Sequence, residues 1–235
     1  MTHRKVKDIE YHLLPGSERK TTDIVIERDG RVVVRPPADY APEQVDEVVE
    51  SKRMWIYRNL AEWRDLNACA VVREWVSGET FLYLGREHRL SLVSGQDRPL
   101  MLTNGSFCLE RSCIEREGPK GAREAFKQFY VNKGAERFRD RVAFYTPKVG
   151  VEPGTIKVKE MGYRWASCGA SGTLNFHWKC LMAPPRIIDY IVVHELCHLH
   201  HRDHSEAFWN EIDKVMPDYR ERKDWLRRHG VKLNL

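Results

Sequence analysis

Apolar residues along this chain alternate between a period of two and a helical period, and each change marks an element. Ile24, Val25 and Ile26 precede Asp29-Gly30, and Val32, Val33 and Val34 follow it. Two β-branched runs about an Asp-Gly pair predict a hairpin over residues 22–35, because that pair tolerates the positive φ angles of a two-residue turn. Over residues 42–63 the spacing becomes helical: Val45, Val48, Val49, Trp55, Ile56 and Leu60 trace one face, interrupted at Lys52. Strands follow at 80–84 and 89–93. A second hairpin joins 100–102 to 107–109 through Asn104-Gly105. Ala122, Ala125, Phe126, Phe129 and Tyr130 then open a long helix expected to reach about residue 143.

The C-terminal part has a denser pattern. Residues 155–159 read as a strand, and so do 173–182, where Leu174, Phe176, Trp178, Cys180 and Met182 alternate with Asn175, His177 and Lys179. As an edge strand, the second would offer its backbone groups to an extended peptide; as a paired strand, it would simply have a solvated polar face. Pro184-Pro185 suits a helix N-terminus, and Ile187, Ile188, Ile191, Val192 and Leu199 predict one buried helix over 185–201. Ser205 is the expected N-cap of a helix over 206–216, with Phe208 and Trp209 starting its apolar face. Pro217 ends that helix. Asp218-Tyr219-Arg220-Glu221 has the form of a capping box for a last helix to about 228. These two helices are expected to floor the site described next and to steady His204.

On the buried helix, His194 and His198 are four residues apart, so they share a face, with Glu195 beside the first. This is H-E-x-x-H, two imidazoles for a zinc ion and a carboxylate for the proton of a water. Half of the chain's 10 histidines fall between His194 and His204. The competing explanation is a structural zinc site, which usually has four protein ligands, mostly Cys. Cys168 and Cys180 are too far apart for a short zinc-finger pair, and Glu195 has no role in a closed site. A catalytic zinc needs a third ligand. His204 follows at the metzincin spacing, with His201 at that motif's glycine position and no Met-turn. Glu206, Glu211 and Glu221 remain carboxylate alternatives, while helical rotation carries His200 away from the metal face.

With 235 residues, 42% of them hydrophobic, the chain can bury a sizeable core as one domain or one domain with a lobe. Residues 1–150 form a strand-and-helix region, within the same domain or apart from it, and 151–235 the metal-binding region. No stretch is apolar enough for a transmembrane helix, and the start lacks a secretory signal. Cys69, Cys108, Cys113, Cys168, Cys180 and Cys197 are scattered, as expected of buried thiols in a reducing cytoplasm rather than a disulfide framework. The net charge of +5 is modest. Its densest basic run is Arg220, Arg222, Lys223, Arg227 and Arg228. A solvated helix face is the simpler reading of that run, ahead of an acidic partner, a nucleic acid or a nucleotide.

Several segments together resemble one family. Arg164-Trp165-Ala166-Ser167-Cys168, Leu174-Asn175-Phe176, Val193 through His198, His204-Ser205 and Phe208-Trp209 are similar to the bacterial YgjP-like metal-dependent hydrolases. These are zincin-type metallopeptidase-domain proteins related to the SprT and WLM groups. The resemblance covers about residues 155–226. It implies an α+β, zincin-like fold with mostly antiparallel sheets packed on the H-E-x-x-H helix. It also implies His194, His198 and His204 as ligands of one Zn2+, with other divalent metals open, and Glu195 as acid/base. Ala166 departs from the family's usual glycine, with a small backbone effect expected.

The leading expectation is therefore hydrolysis of a peptide or amide bond in a peptide, protein or small-molecule substrate. The developing oxyanion needs a donor, and Arg164, Tyr163, His177 and Tyr219 are unranked candidates; Arg164 also fits a structural ion pair. One alternative is metal-dependent hydrolysis of a nucleoside triphosphate, although no G-x-x-x-x-G-K-[ST] loop is present. Another is a non-enzymatic, zinc-stabilised interaction module with four protein ligands.

Overall fold

The computed structural model describes residues 2–18, 21–27, 30–67, 73–161 and 164–235. The chain divides into two compact units, Met1–Ala70 and Val71–Leu235.

In the first unit, strands β1 (Thr2–Val6), β2 (Ile9–Leu13), β3 (Asp23–Ile26) and β4 (Val32–Arg35) form one sheet in the order β1-β2-β4-β3. The expected hairpin is β3–β4, with Ile26 opposite Val32. Its loop is longer than a two-residue turn, because the Glu27 N–H bonds the Arg31 carbonyl at 2.8 Å; Asp29 lies outside the described residues. The single helix expected over 42–63 is two helices, α1 (Pro42–Ser51) and α2 (Arg53–Asn67). They part at Lys52, whose φ of −98° and ψ of 8° leave the helical basin while its N–H still reaches back to Val48 and Val49. The apolar face nevertheless continues past the break: Ile56, seven residues beyond Val49, is buried in the same core, whereas Trp55, at the margin of that face, is exposed. Ile9, Tyr11, Ile26, Val34, Val45 and Val49 make the core of this unit with Ile56.

The second unit begins with β5 (Thr80–Tyr83), β6 (Arg86–Val93), β7 (Leu100–Thr103) and β8 (Ser106–Glu110), in the order β5-β6-β8-β7. Asn104 and Gly105, at φ of 52° and 77°, close the expected β7–β8 turn. After α3 (Arg111–Glu117), α4 runs the whole way from Pro119 to Val149. A small sheet of β9 (Ile156–Lys159), β10 (Ala166–Cys168) and β11 (Leu174–His177) follows, with β11 between the other two. The chain then forms α5 (Pro185–Cys197), α6 (Glu206–Val215) and α7 (Tyr219–His229). The expected α+β class holds. Among the described residues the strand pairs are mostly antiparallel, as expected, with β2–β4, β6–β8 and β9–β11 as parallel pairs that make each sheet mixed.

The strand expected over 173–182 needs correction. The strand stops at His177, and residues Trp178–Met182 form a 3-10 helix that is buried throughout. The alternation concealed this because two residues of the supposedly solvated face, His177 and Lys179, are buried with partners. The Lys179 N–H bonds His177 Nδ1 at 3.1 Å, and Lys179 Nζ bonds Asn234 Oδ1 at 2.8 Å. Of the two alternatives for the strand itself, the paired one holds: β10 and β9 flank β11, so its backbone is taken on both sides.

Helix α5 sits deep in this unit, against α4, α6, α7 and β10. Ile187, Ile188, Ile191, Val192, Val193 and Leu196 are all buried. At roughly 1.5–3 kcal/mol for each large apolar side chain, that face alone accounts for the helix. Arg141 grips its outer side, meeting both Asp189 carboxylate oxygens at 2.6 and 3.0 Å. No described helix is long and apolar enough to cross a membrane.

Candidate metal centre

Helix α5 ends at Cys197, four residues before the expected stop, because the chain tightens there. Leu199 N–H bonds the Leu196 carbonyl, and both His200 and His201 N–H reach Cys197. His198 is thereby the C-cap, still helical in backbone and one turn beyond His194. The following loop is tied down at Arg202, which donates to the Gly169 carbonyl at 2.9 Å and to Ala170 at 3.2 Å. Asp203 Oδ1 accepts the Ser205 N–H at 3.2 Å. That loop returns His204 over the end of α5.

His194, His198 and His204 come together, with one ring nitrogen of each within 4.8 Å of the others. His194 Nε2 and His204 Nε2 are 3.1 Å apart. Two imidazoles at about 2.0–2.1 Å from one tetrahedral ion place their nitrogens about 3.3 Å from each other, so the spacing fits zinc. His198 Nδ1 lies 3.0 Å from the His201 carbonyl. A carbonyl can only accept, so Nδ1 carries the proton and Nε2 keeps its lone pair for a cation. Burial pushes all three imidazoles below their ordinary value, His194 to about 3, and for His194 and His204 the Lys223 charge acts in the same direction. They are held neutral, as ligands must be. No described carboxylate joins this cluster. Glu211 instead accepts from Lys214 at 2.7 Å, and Glu206 and Glu221 are exposed. His200 points its Nε2 at the Val149 carbonyl, 2.9 Å away.

Glu195 is buried, and its Oε2 has no hydrogen-bond partner among the described residues; the same holds for His194 Nδ1. A buried polar atom left unpaired costs about 1–3 kcal/mol, and such orphans cluster where an ion or a reaction needs them. Burial raises the Glu195 carboxyl to about 8, opposed by the charge of Arg164 and by a hydrogen bond from the Cys168 backbone.

Rings from α6 support the cluster. Phe208 is fully buried and stacks on His198 at 4.5 Å between centroids. Trp209 stacks on His204 at 5.7 Å. Its other contacts include Tyr219, stacked at 5.5 Å, and the Lys223 ammonium, 3.9 Å from the ring centroid. Of the oxyanion candidates, Arg164 is exposed and electrostatically coupled to Glu195. Tyr219 is buried behind Trp209. His177 is fully buried, with Nε2 2.8 Å from Glu160 Oε1, and its neighbouring rings are Trp165 and Trp178. Tyr163 lies outside the described residues. Lys223 was visible only as part of a basic run; its place against Trp209 depends on two helices meeting. Ala166 lies in extended β10, so alanine in place of glycine brings no positive-φ strain.

No curated protein matches the chain. Among solved structures, the metallopeptidase zymogen of Pyrococcus abyssi abylysin is 26% identical over 37% of this chain and 89% of its own, with a TM-score of 0.35. The metallopeptidase zymogen of Methanocaldococcus jannaschii jannalysin is 21% identical over 39% and 94%, with a TM-score of 0.36. The family described as YgjP-like, metallopeptidase domain, matches residues 20–229. With that match spanning nearly the whole chain, and the three histidines and the buried glutamate inside it, the chain belongs to the YgjP-like metallopeptidase family and is a metal-dependent hydrolase.

Proposed function

We propose that the chain is a zinc-dependent peptidase whose residues 151–235 carry the reaction, in a zincin-like arrangement. His194, His198 and His204 hold the ion, and Glu195 is the general base and then the general acid. The observation that carries this reading is the meeting of three imidazole nitrogens within 4.8 Å beside a buried, unpaired carboxylate oxygen. Three donors suit a catalytic site with an open position better than a closed four-ligand module.

A bound divalent ion supplies Lewis acidity, which acidifies a water toward a pKa of about 7 and polarises the scissile carbonyl. Glu195 takes a proton from the attacking water and returns it to the leaving amine. Burial alone would keep its carboxyl protonated at neutral pH; Arg164, and the charge of a cation, favour the carboxylate it needs to be. Arg164 is also the best-placed cation for the developing oxyanion, given its coupling to Glu195. The His201 carbonyl fixes the His198 tautomer, and Phe208 fixes its ring plane.

The test is Glu195→Gln. It should retain one zinc per chain by metal analysis and lose peptide hydrolysis by about 10²–10⁴-fold. Near-parental turnover would remove Glu195 from the mechanism. Phosphate release from a nucleoside triphosphate, without peptide cleavage by the parent chain, would replace the substrate class.

A further inference from the structure

Beside the metal loop lies a cavity that the proposed hydrolysis does not use. It has a volume of about 370 Å³ and is lined by Trp209, Tyr219, Arg220, Lys223, Asp224 and Arg227. Ligand pockets run from about 300 to 1,000 Å³, so this one is at the small end of that range and has room for a side chain. Its aromatic wall is the stacked pair Trp209 and Tyr219, with planes 14° apart. Trp209 also stacks on His204 and donates its indole N–H to the His204 carbonyl at 3.1 Å. The cavity and the metal loop therefore share a wall.

Arg220, Lys223 and Arg227 follow i, i+3, i+7 spacing and form one stripe on α7. Two of them are already engaged: Arg220 pairs with Asp213 at 3.1 Å and Arg227 with Asp224 at 3.2 Å. Asp224 also pairs with Arg228, so its negative charge is largely neutralised. Lys223 differs. Its ammonium rests over the Trp209 ring, and no described carboxylate pairs with it. A cation–π contact leaves the ammonium's donors available to an anion.

We propose that this cavity is a subsite for the carboxylate side chain of an Asp or Glu flanking the cleaved bond, with Lys223 as its ion partner. The assignment rests on the reading of the site as a peptidase's. The half-buried Trp209, backed by Tyr219, packs the methylenes of such a side chain; Arg220 and Arg227 are committed to Asp213 and Asp224, so Lys223 supplies the pairing charge. The stripe spans two helical turns, about 10 Å. Among the described residues, only Lys223 of that stripe is uncommitted to a carboxylate, which matches one anionic group rather than the run of phosphates a nucleic acid presents.

The test compares C-terminally amidated peptides that differ only by Glu or Gln at one position beside the scissile bond, using the zinc-loaded full chain. The parent should prefer the Glu peptide in kcat/KM. In Lys223→Gln that Glu-to-Gln ratio should fall about 3- to 10-fold, chiefly through KM, the range expected for one partly exposed ion pair. Lys223→Arg should keep the preference, and Lys223→Glu should reverse it toward a Lys peptide. A second readout needs no turnover: fluorescein-labelled versions of the same peptides binding to Glu195→Gln, followed by anisotropy, should rank in the same order. If no peptide is cleaved but this ranking appears, the peptidase reading fails and the subsite stands. Equal binding of the Glu and Gln peptides, or ratios unmoved by Lys223 substitution, overturns the subsite. A preference that follows a free C-terminus instead, or displacement of the acidic peptide by a single-stranded oligonucleotide at lower concentration, overturns the proposed occupant.

Discussion

The Trp209 indole N–H donates to the His204 carbonyl at 3.1 Å while its ring stacks on the His204 imidazole. His204 lies in a loop, where backbone freedom would otherwise leave it poorly aimed. One side chain from the next helix fixes both its backbone and its ring. Trp209→Phe retains an aromatic face but loses the bond. A lost supporting partner typically lowers metal affinity about 10–100-fold. Competition with a chromophoric chelator should read a loss in that range, with circular dichroism unchanged.

Removing the ring of His204 itself should do more. His204→Ala should lower zinc affinity beyond the Trp209→Phe effect, while α5 persists on its apolar face. Glu206→Ala, Glu211→Ala and Glu221→Ala should each keep zinc after dialysis, because none of these carboxylates joins the histidine cluster. Zinc lost from a glutamate variant and kept in His204→Ala would make the site a two-histidine, one-glutamate centre.

The proximity of these histidines was legible because it follows from local spacing: one helical turn between His194 and His198, and a short return loop to His204. What escaped the sequence depends on distant partners. His177 and Lys179 read as a solvated face, yet Glu160 and Asn234, far away in sequence, let them be buried. The Asp218–Glu221 capping box did not form: Asp218 adopts φ −86° and ψ 14°, and its carboxylate is taken by Arg222 at 2.9 Å. Trp55 went to the surface because it lies at the margin of a face centred on Val45, Val49 and Ile56, which continues past Lys52.

In the first unit, Asp46 Oδ2 accepts from Arg4 and Asp46 Oδ1 accepts from the Tyr11 hydroxyl, both at 2.6 Å. Chiefly through the Arg4 hydrogen bond, the Asp46 carboxyl is held below its ordinary value of 3.8. A folded value below the unfolded one means a contribution fully present above pH 3.8 and lost as pH falls through the folded value. At pH 6, amides of β2 and α1 should therefore be better protected in the parent than in Asp46→Asn, with the difference shrinking below pH 3.8. Hydrogen exchange by mass spectrometry, comparing the two proteins at each pH, reads this directly. A difference that stays constant with pH would assign the protection to packing rather than to the ion pair.

Gly85 couples the β5–β6 turn to the start of α5. Its N–H bonds the Met182 carbonyl at 3.1 Å, and its φ is 77°. A Cβ there would lie 2.8 Å from both Cα and Cγ of Pro184, the residue that caps α5. Gly85→Ala thus combines left-handed strain with a clash against backbone, whereas Gly105→Ala, at the same φ with open space around it, carries the strain alone. The strain should cost about 1–3 kcal/mol in either variant. Gly85→Ala should exceed Gly105→Ala in lost stability by urea denaturation. It should also weaken zinc binding, because Pro184 can yield only by moving the end of the helix that presents His194 and His198. Equal losses in the two variants, with zinc affinity untouched, would mean that the turn and the helix are mechanically independent.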